Sequence, residues 1–263
     1  MSVVNASYGH PMQSEEHATM LLAGGILGMG YQCGQVWGAA LAAGAQAFRL
    51  FGPGPQAESA ALLAAQRLAE SFEGSYRSLD CYEVTELNWK KAPPRELAGY
   101  VLKGGPVRCF TMSASFAQAT RQVIDAALKD GVAPEAHRQG RSQGFQVESP
   151  ASCASALARR RGALELHATM ASGLAGGIGL SGAGCGALGA AIWLIAIEEP
   201  ELVQKFDLDT PRVMQVVESF LEASGGEFTC EAIVGRRFAG LEEHATYLRE
   251  GGCTRLMDTL AAA

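Results

Sequence analysis

A sparse cysteine pattern that occurs twice constrains this chain more than any other feature. Cys33, Cys81 and Cys109 are separated by gaps of 48 and 28 residues, and Cys185, Cys230 and Cys253 by gaps of 45 and 23. The surroundings repeat as well. Gly24-Gly25-Ile26 stands nine residues before Cys33 and Gly176-Gly177-Ile178 nine before Cys185, and each of these cysteines is followed by a glycine, Gly34 or Gly186. His17-Ala18-Thr19-Met20 recurs as His167-Ala168-Thr169-Met170, slipped by two residues relative to the glycine alignment. Each copy also holds one stretch of 32 residues without a charged side chain, 17–48 and 166–197. An internal duplication explains these coincidences together and makes the cysteines part of the repeated design.

A chain of 263 residues accommodates two domains of about 130. The expected organisation is a first helical repeat over 1–130, a polar linker bearing Pro and Gly over 131–148, and a second repeat over 149–263. Hydrophobic residues make up 48% and charged residues 18%, enough for a packed core. The net charge of −6 argues against a nucleic-acid surface, and Arg159-Arg160-Arg161 reads as a solvated helix face. The first residues carry neither a basic n-region nor an apolar h-region, so a cytoplasmic location is expected. A reducing compartment disfavours structural disulfides, which leaves metal ligation, redox chemistry or simple burial for the seven cysteines.

The periodicities are helical and strand signals are scarce, so the expected fold class is all-α. Val213, Val216, Val217, Phe220 and Leu221 share a helix face, with Asp209-Thr210-Pro211 as its start. Phe116, Val123, Ile124 and Leu128 form a similar stripe, residues 57–73 read as a helix rich in alanine and leucine, and a helix over 34–50 stops at Gly52-Pro53. The stretch 90–108, with its Pro93-Pro94 and Gly104-Gly105-Pro106, reads as irregular and has no counterpart of equal length in the second copy. The uncharged stretches hold seven and eight glycines. Each interior glycine lowers helix propensity by roughly 1 kcal/mol relative to alanine. Two buried helices meeting at a glycine-rich turn fit better than a membrane span.

All seven cysteines read as first-turn helix residues. A helix start supplies free N–H donors and partial positive charge, which favour a thiolate as nucleophile or metal ligand. Gly34 and Gly186 would let backbone amides approach the sulfur or a bound cofactor closely, an arrangement that tunes iron–sulfur clusters. The plain alternative is that cysteines in such helices are small buried hydrophobes. Gly177-Ile178-Gly179-Leu180-Ser181-Gly182 spells G-x-G-x-x-G, but a dinucleotide fingerprint requires a preceding strand and no strand is expected there. Neither C-x-x-C nor C-x-x-C-H occurs, which weakens thioredoxin-like, zinc-ribbon and covalent haem readings.

The chain resembles the C-GCAxxG-C-C family. The second copy matches more fully: Cys153, then Gly176-Gly177-Ile178-Gly179, then Gly184-Cys185-Gly186-Ala187, then Cys230 and Cys253. In the first copy Cys33, Cys81 and Cys109 match the last three cysteine positions, and the place of Cys153 falls at residue 1, where no cysteine stands. The first opening helix thus reads as truncated, and His10 or His17 could substitute. The resemblance implies redox activity, with links to iron–sulfur and haem proteins. Together these readings lead to three expectations. The first is a redox protein that binds an iron–sulfur cluster through Cys153, Cys185, Cys230 and Cys253, with Cys33, Cys81 and Cys109 as an asymmetric second set. It would serve an electron-transfer protein partner and could form a homo-oligomer. The second is a metal-free thiol–disulfide protein using the same cysteines. The third is a helical interaction or membrane-associated module with inert thiols.

Overall fold

The computed structural model describes residues 1–130, 152–205 and 207–263; the stretch expected as linker, 131–148, lies outside them. The fold is all-α, and the extended backbone pairs only at two isolated bridges among the described residues, Gln32 with Asp80 and Gly184 with Thr229. In the first half the helices are α1 (Ser2–Ser7), α2 (Gln13–Ala18), α3 (Gly34–Phe51), α4 (Pro55–Tyr76), α5 (Cys81–Thr85), α6 (Pro94–Leu102) and α7 (Gly105–Asp130). In the second they are α8 (Cys153–Arg160), α9 (Glu165–Ser172), α10 (Gly186–Glu198), α11 (Pro211–Ser224), α12 (Cys230–Val234), α13 (Leu241–Arg249) and α14 (Thr254–Ala262). Among the described residues no helix is long and apolar enough to cross a membrane.

The expected elements form where their sequence signals lie. α3 stops at Gly52, α4 covers 57–73, and α11 opens on Pro211 after Thr210. The stretch 90–108 is a correction. It contains α6, nine residues long, and its counterpart α13 has the same length. Pro94 is the first residue of α6, where a missing N–H costs nothing, so the double proline opens a helix. A side chain on Gly105 would collide with the Tyr100 ring, and one on Gly252 with the Tyr247 ring. The two halves therefore turn from α6 to α7 and from α13 to α14 in the same way.

The helices of the two halves interlock. α9 of the second half packs on α3 and α4 of the first, while α2 of the first packs on α10 of the second. The approach is close: a Cβ on Gly44 would fall 2.4 Å from Met170 Cα, and one on Gly189 2.4 Å from the Trp37 ring. Trp37 and Trp193 are both fully buried, and the Trp193 indole N–H donates to the Glu15 carbonyl at 3.0 Å. One continuous apolar core draws on both halves. Glu58 of α4 is buried against α8, where it accepts hydrogen bonds from Ser155 Oγ at 2.7 Å and from Arg159. The arginine run is thus not a free solvated face: Arg159 pairs with Glu58 and Glu165, Arg160 with Asp258 and Arg161 with Glu198.

Each glycine-rich stretch folds into a left-handed turn ahead of its cysteine. Five consecutive residues have positive φ: 65, 75, 58, 46 and 74° over 24–28, and 63, 81, 61, 63 and 61° over 176–180. Glycine tolerates this region, but Ile26, Leu27, Ile178 and Leu180 are strained there. Backbone hydrogen bonds hold them. Ile26 N–H reaches Leu22 O, Gly28 reaches Ala23, Gly30 reaches Gly24 and Tyr31 reaches Gly25; each bond recurs with both residue numbers raised by 152. The G-x-G-x-x-G string lies in the second of these turns, with no strand before it, so its glycines serve the turn.

Candidate functional site

A short backbone clip follows each left-handed turn and places two cysteines side by side. In the first half Cys33 N–H donates to Leu79 O at 2.7 Å, Cys81 N–H to Tyr31 O at 2.8 Å and Tyr82 N–H to Gly30 O at 3.1 Å. In the second, Cys185 N–H donates to Phe228 O at 3.1 Å, Cys230 N–H to Ala183 O at 2.7 Å and Glu231 N–H to Gly182 O at 2.9 Å. Cys33 and Cys185 cap α3 and α10, while Cys81 and Cys230 open α5 and α12. The clips abut across the junction of the halves: Tyr31 stacks on Phe228 with ring centroids 3.5 Å apart, and Gln32 lies against Gly184.

The two sets of cysteines line separate cavities. Cys153, Cys185, Cys230 and Cys253 surround a closed space of about 20 Å³, walled by Ile233, Val234, Phe238, Leu256 and Met257. Gly186 lines it too, as Gly34 lines the first cavity. The packing also explains the choice of glycine: a Cβ on Gly186 would sit 1.9 Å from the Leu174 carbonyl oxygen, and one on Gly34 3.1 Å from Leu22 O. Cys33, Cys81 and Cys109 line a much larger cavity of about 530 Å³. Met1 stands in its wall, at the register where the second half has Cys153. His10 and His17 are exposed and line neither cavity.

His244 is the residue that sequence reasoning missed. It is 2% exposed, faces the four-cysteine cavity, and its Nδ1 has no hydrogen-bond partner among the described residues. Burial lowers its pKa to about 4, so the ring is neutral at pH 7 and keeps a lone pair for a ligand. One histidine among five with no local motif left no signal in the sequence.

The electrostatics correct the expectation of acidified thiols. Backbone N–H groups do reach the sulfurs: Gln35 and Val36 to Cys33, Ala187 and Leu188 to Cys185, Gly176 and Ala154 to Cys153. Burial outweighs them, because a thiolate loses more hydration than these donors return. The thiols of Cys33 and Cys153 are pushed up to about 12 and that of Cys185 to about 11. Burial raises Cys81, Cys109, Cys230 and Cys253 as well. Within each set the sulfurs are close enough for a thiolate on one to disfavour a thiolate on another. Cys109 departs from the first-turn pattern: α7 starts at Gly105, with Pro106 inside its first turn, so Cys109 begins the second. All seven cysteines are free thiols. Among the described residues no three His, Cys, Asp or Glu side chains are placed to hold a single metal ion.

No curated protein and no solved structure matches the chain. A family model does, the one described as Putative redox-active protein (C_GCAxxG_C_C), over residues 1–123. The match falls on the half with three cysteines, whereas the sequence motif is fuller in the second half. It spans α1 to α6 and most of α7, both arms of the first clip and the wall of the larger cavity apart from Leu208. The similarity to the C_GCAxxG_C_C family thus covers residues 1–123, with Cys33, Cys81 and Cys109.

Proposed function

We propose that the protein is an electron carrier whose second half holds an iron–sulfur cluster on Cys153, Cys185, Cys230 and Cys253. One observation carries this reading: four cysteines from four separate helix starts face one apolar space that no carboxylate lines among the described residues. The donor set fits such a group, since soft thiolates in a dry shell with N–H donors at sulfur are what clusters use. A lone tetrahedral ion fits less well. It would draw thiolates to within about 3.8 Å of one another, given a metal–sulfur bond of about 2.3 Å, and no such gathering is present among the described residues. The space holds about one water, so the shell has to open as the group enters.

When bound, the group would supply one-electron transfer. The chain's own residues do the rest. The four thiols give up protons on ligation, which offsets the burial that keeps them neutral when free. N–H groups of Gly176, Ala154, Ala187 and Leu188 stabilise negative charge on Cys153 and Cys185, and the Tyr247 hydroxyl does so on Cys253. Phe238, Leu256 and Met257 exclude water. Cys33, Cys81 and Cys109 form the incomplete counterpart, with Met1 at the fourth position. The metal-free thiol–disulfide reading is weaker, because raised thiol pKa values leave few thiolates to attack at neutral pH. The exposed Leu97, Val101, Leu102, Val107 and Phe110 on α6 and α7 offer an apolar face beside Cys109 for a protein partner.

Iron, acid-labile sulfide and the visible spectrum of protein purified without oxygen test the proposal. Near-stoichiometric iron and sulfide, with absorption bleached by dithionite and lost in Cys185→Ala but kept in Cys33→Ala, are expected. A colourless protein that stays metal-free after reconstitution would overturn it.

A further inference from the structure

The two cavities have opposite characters, and the larger one is built to take a molecule. Its volume of about 530 Å³ lies within the range of small-molecule pockets, against about 20 Å³ in the second half. Its walls are mainly apolar, with Met20, Ala39, Trp89, Phe116 and Ala117 among them, and no charged side chain lines it among the described residues. Val3, 66% exposed, stands at the rim.

The polar side chains in the wall fall into two groups. Thr19 donates to Glu16 O, Thr85 to Cys81 O and Ser113 to Cys109 O, so these hydroxyls are engaged within their own turns. Thr120 Oγ1 and Gln35 Oε1 are different. Both are shut away from water in the cavity wall and neither has a hydrogen-bond partner among the described residues; Thr120 is 1% exposed. A buried polar atom left without a partner is destabilising by about 1–3 kcal/mol, so two in one cavity mark where a ligand's polar group belongs.

We infer that this cavity binds a neutral, largely apolar ring compound bearing a hydroxyl group, which donates a hydrogen bond to Thr120 Oγ1 or Gln35 Oε1. The wall is mainly apolar and carries no charged side chain among the described residues, and burial pushes the Met1 amine in it toward its neutral form, so the cavity disfavours ionised ligands. Trp89 and Phe116 offer ring surfaces. The inference is independent of the cluster in the second half.

Isothermal titration with 2-naphthol and with 2-methylnaphthalene, which lacks the donor, tests it on the full chain. Wild type binds 2-naphthol more tightly. Thr120→Val and Gln35→Leu, taken together, weaken 2-naphthol about 2- to 10-fold and leave 2-methylnaphthalene unchanged. Ala117→Phe fills the cavity and abolishes binding of both; Ala39→Leu serves the same purpose if that variant does not fold by circular dichroism. Cys185→Ala, which removes the proposed cluster, leaves binding intact. Absence of saturable binding to wild type would overturn the inference, as would affinities unchanged by the polar substitutions or by filling the cavity.

Discussion

Replacing Gly186 by alanine tests whether the cysteine-bearing helix start is fixed by packing against the left-handed turn. Alanine's Cβ would lie 1.9 Å from Leu174 O, 2.4 Å from Leu174 C and 3.0 Å from Ala175 N. All three are backbone atoms, so no rotamer change relieves the clash. The carbonyl or the start of α10 has to move by about 1.5 Å to restore an ordinary contact of 3.4 Å from the present 1.9 Å. Overpacking of this kind costs about 1–3 kcal/mol and at times more, while alanine's helix propensity returns at most about 1 kcal/mol. The counterpart, Gly34→Ala, meets Leu22 O and Ala23 Cα at 3.1 Å and asks for a shift of only a few tenths of an ångström. The expected losses are about 2–3 kcal/mol for Gly186→Ala and within about 1 kcal/mol of zero for Gly34→Ala. In thermal unfolding the first corresponds to a drop of about 4–12 °C. Urea unfolding with constant m measures the difference. Gly186→Ala at wild-type stability, or Gly34→Ala as the worse variant, would refute the packing argument.

Three further outcomes are expected. His244 has a folded pKa depressed to about 4 against an unfolded value near 6.5, so its contribution is fully present above pH 6.5 and is lost as pH falls through 4. Urea titrations of metal-free protein should show about 3 kcal/mol of that loss between these limits, absent in His244→Phe. Arg159→Met leaves the Glu58 carboxylate buried without its cation. Breaking a buried pair costs about 3–5 kcal/mol, and partial exposure of Arg159 reduces this to about 2–3 kcal/mol, read by the same unfolding assay and restored in part by adding Glu58→Gln. Arg77 ends α4 at φ 68° with its side chain exposed, so Arg77→Gly should raise stability by about 0.5–1 kcal/mol, visible as a higher urea midpoint.

Much of the local structure was legible. Pro211 after a threonine, Gly52 after an apolar run and the alanine-rich 57–73 became helix boundaries and a helix because their signals act within one turn of chain. The failures have physical causes. Pro93-Pro94 reads as a breaker or as a first turn according to the residues after it, and Arg95 to Leu102 carry too little periodicity to decide. Thiol acidity is misread from sequence because a helix start is a local feature, whereas desolvation comes from the whole surrounding core. His244 of α13 joined the site because the fold brings it to the cavity that α12 and α14 also line, which no spacing encodes.

The sequence by itself determined the all-α class, the helix starts at six of the seven cysteines, Cys109 excepted, and the recurrence of one glycine-rich design at two places, since each depends on short-range propensity or on direct comparison of the two copies. Only the tertiary structure decided that the glycines wind left-handed, that α2 and α9 pack on the opposite halves, and that the cysteines line two unlike cavities. Those outcomes turn on distances between residues far apart in the chain. The space around a thiol, and the water it loses there, exists only once the helices have packed.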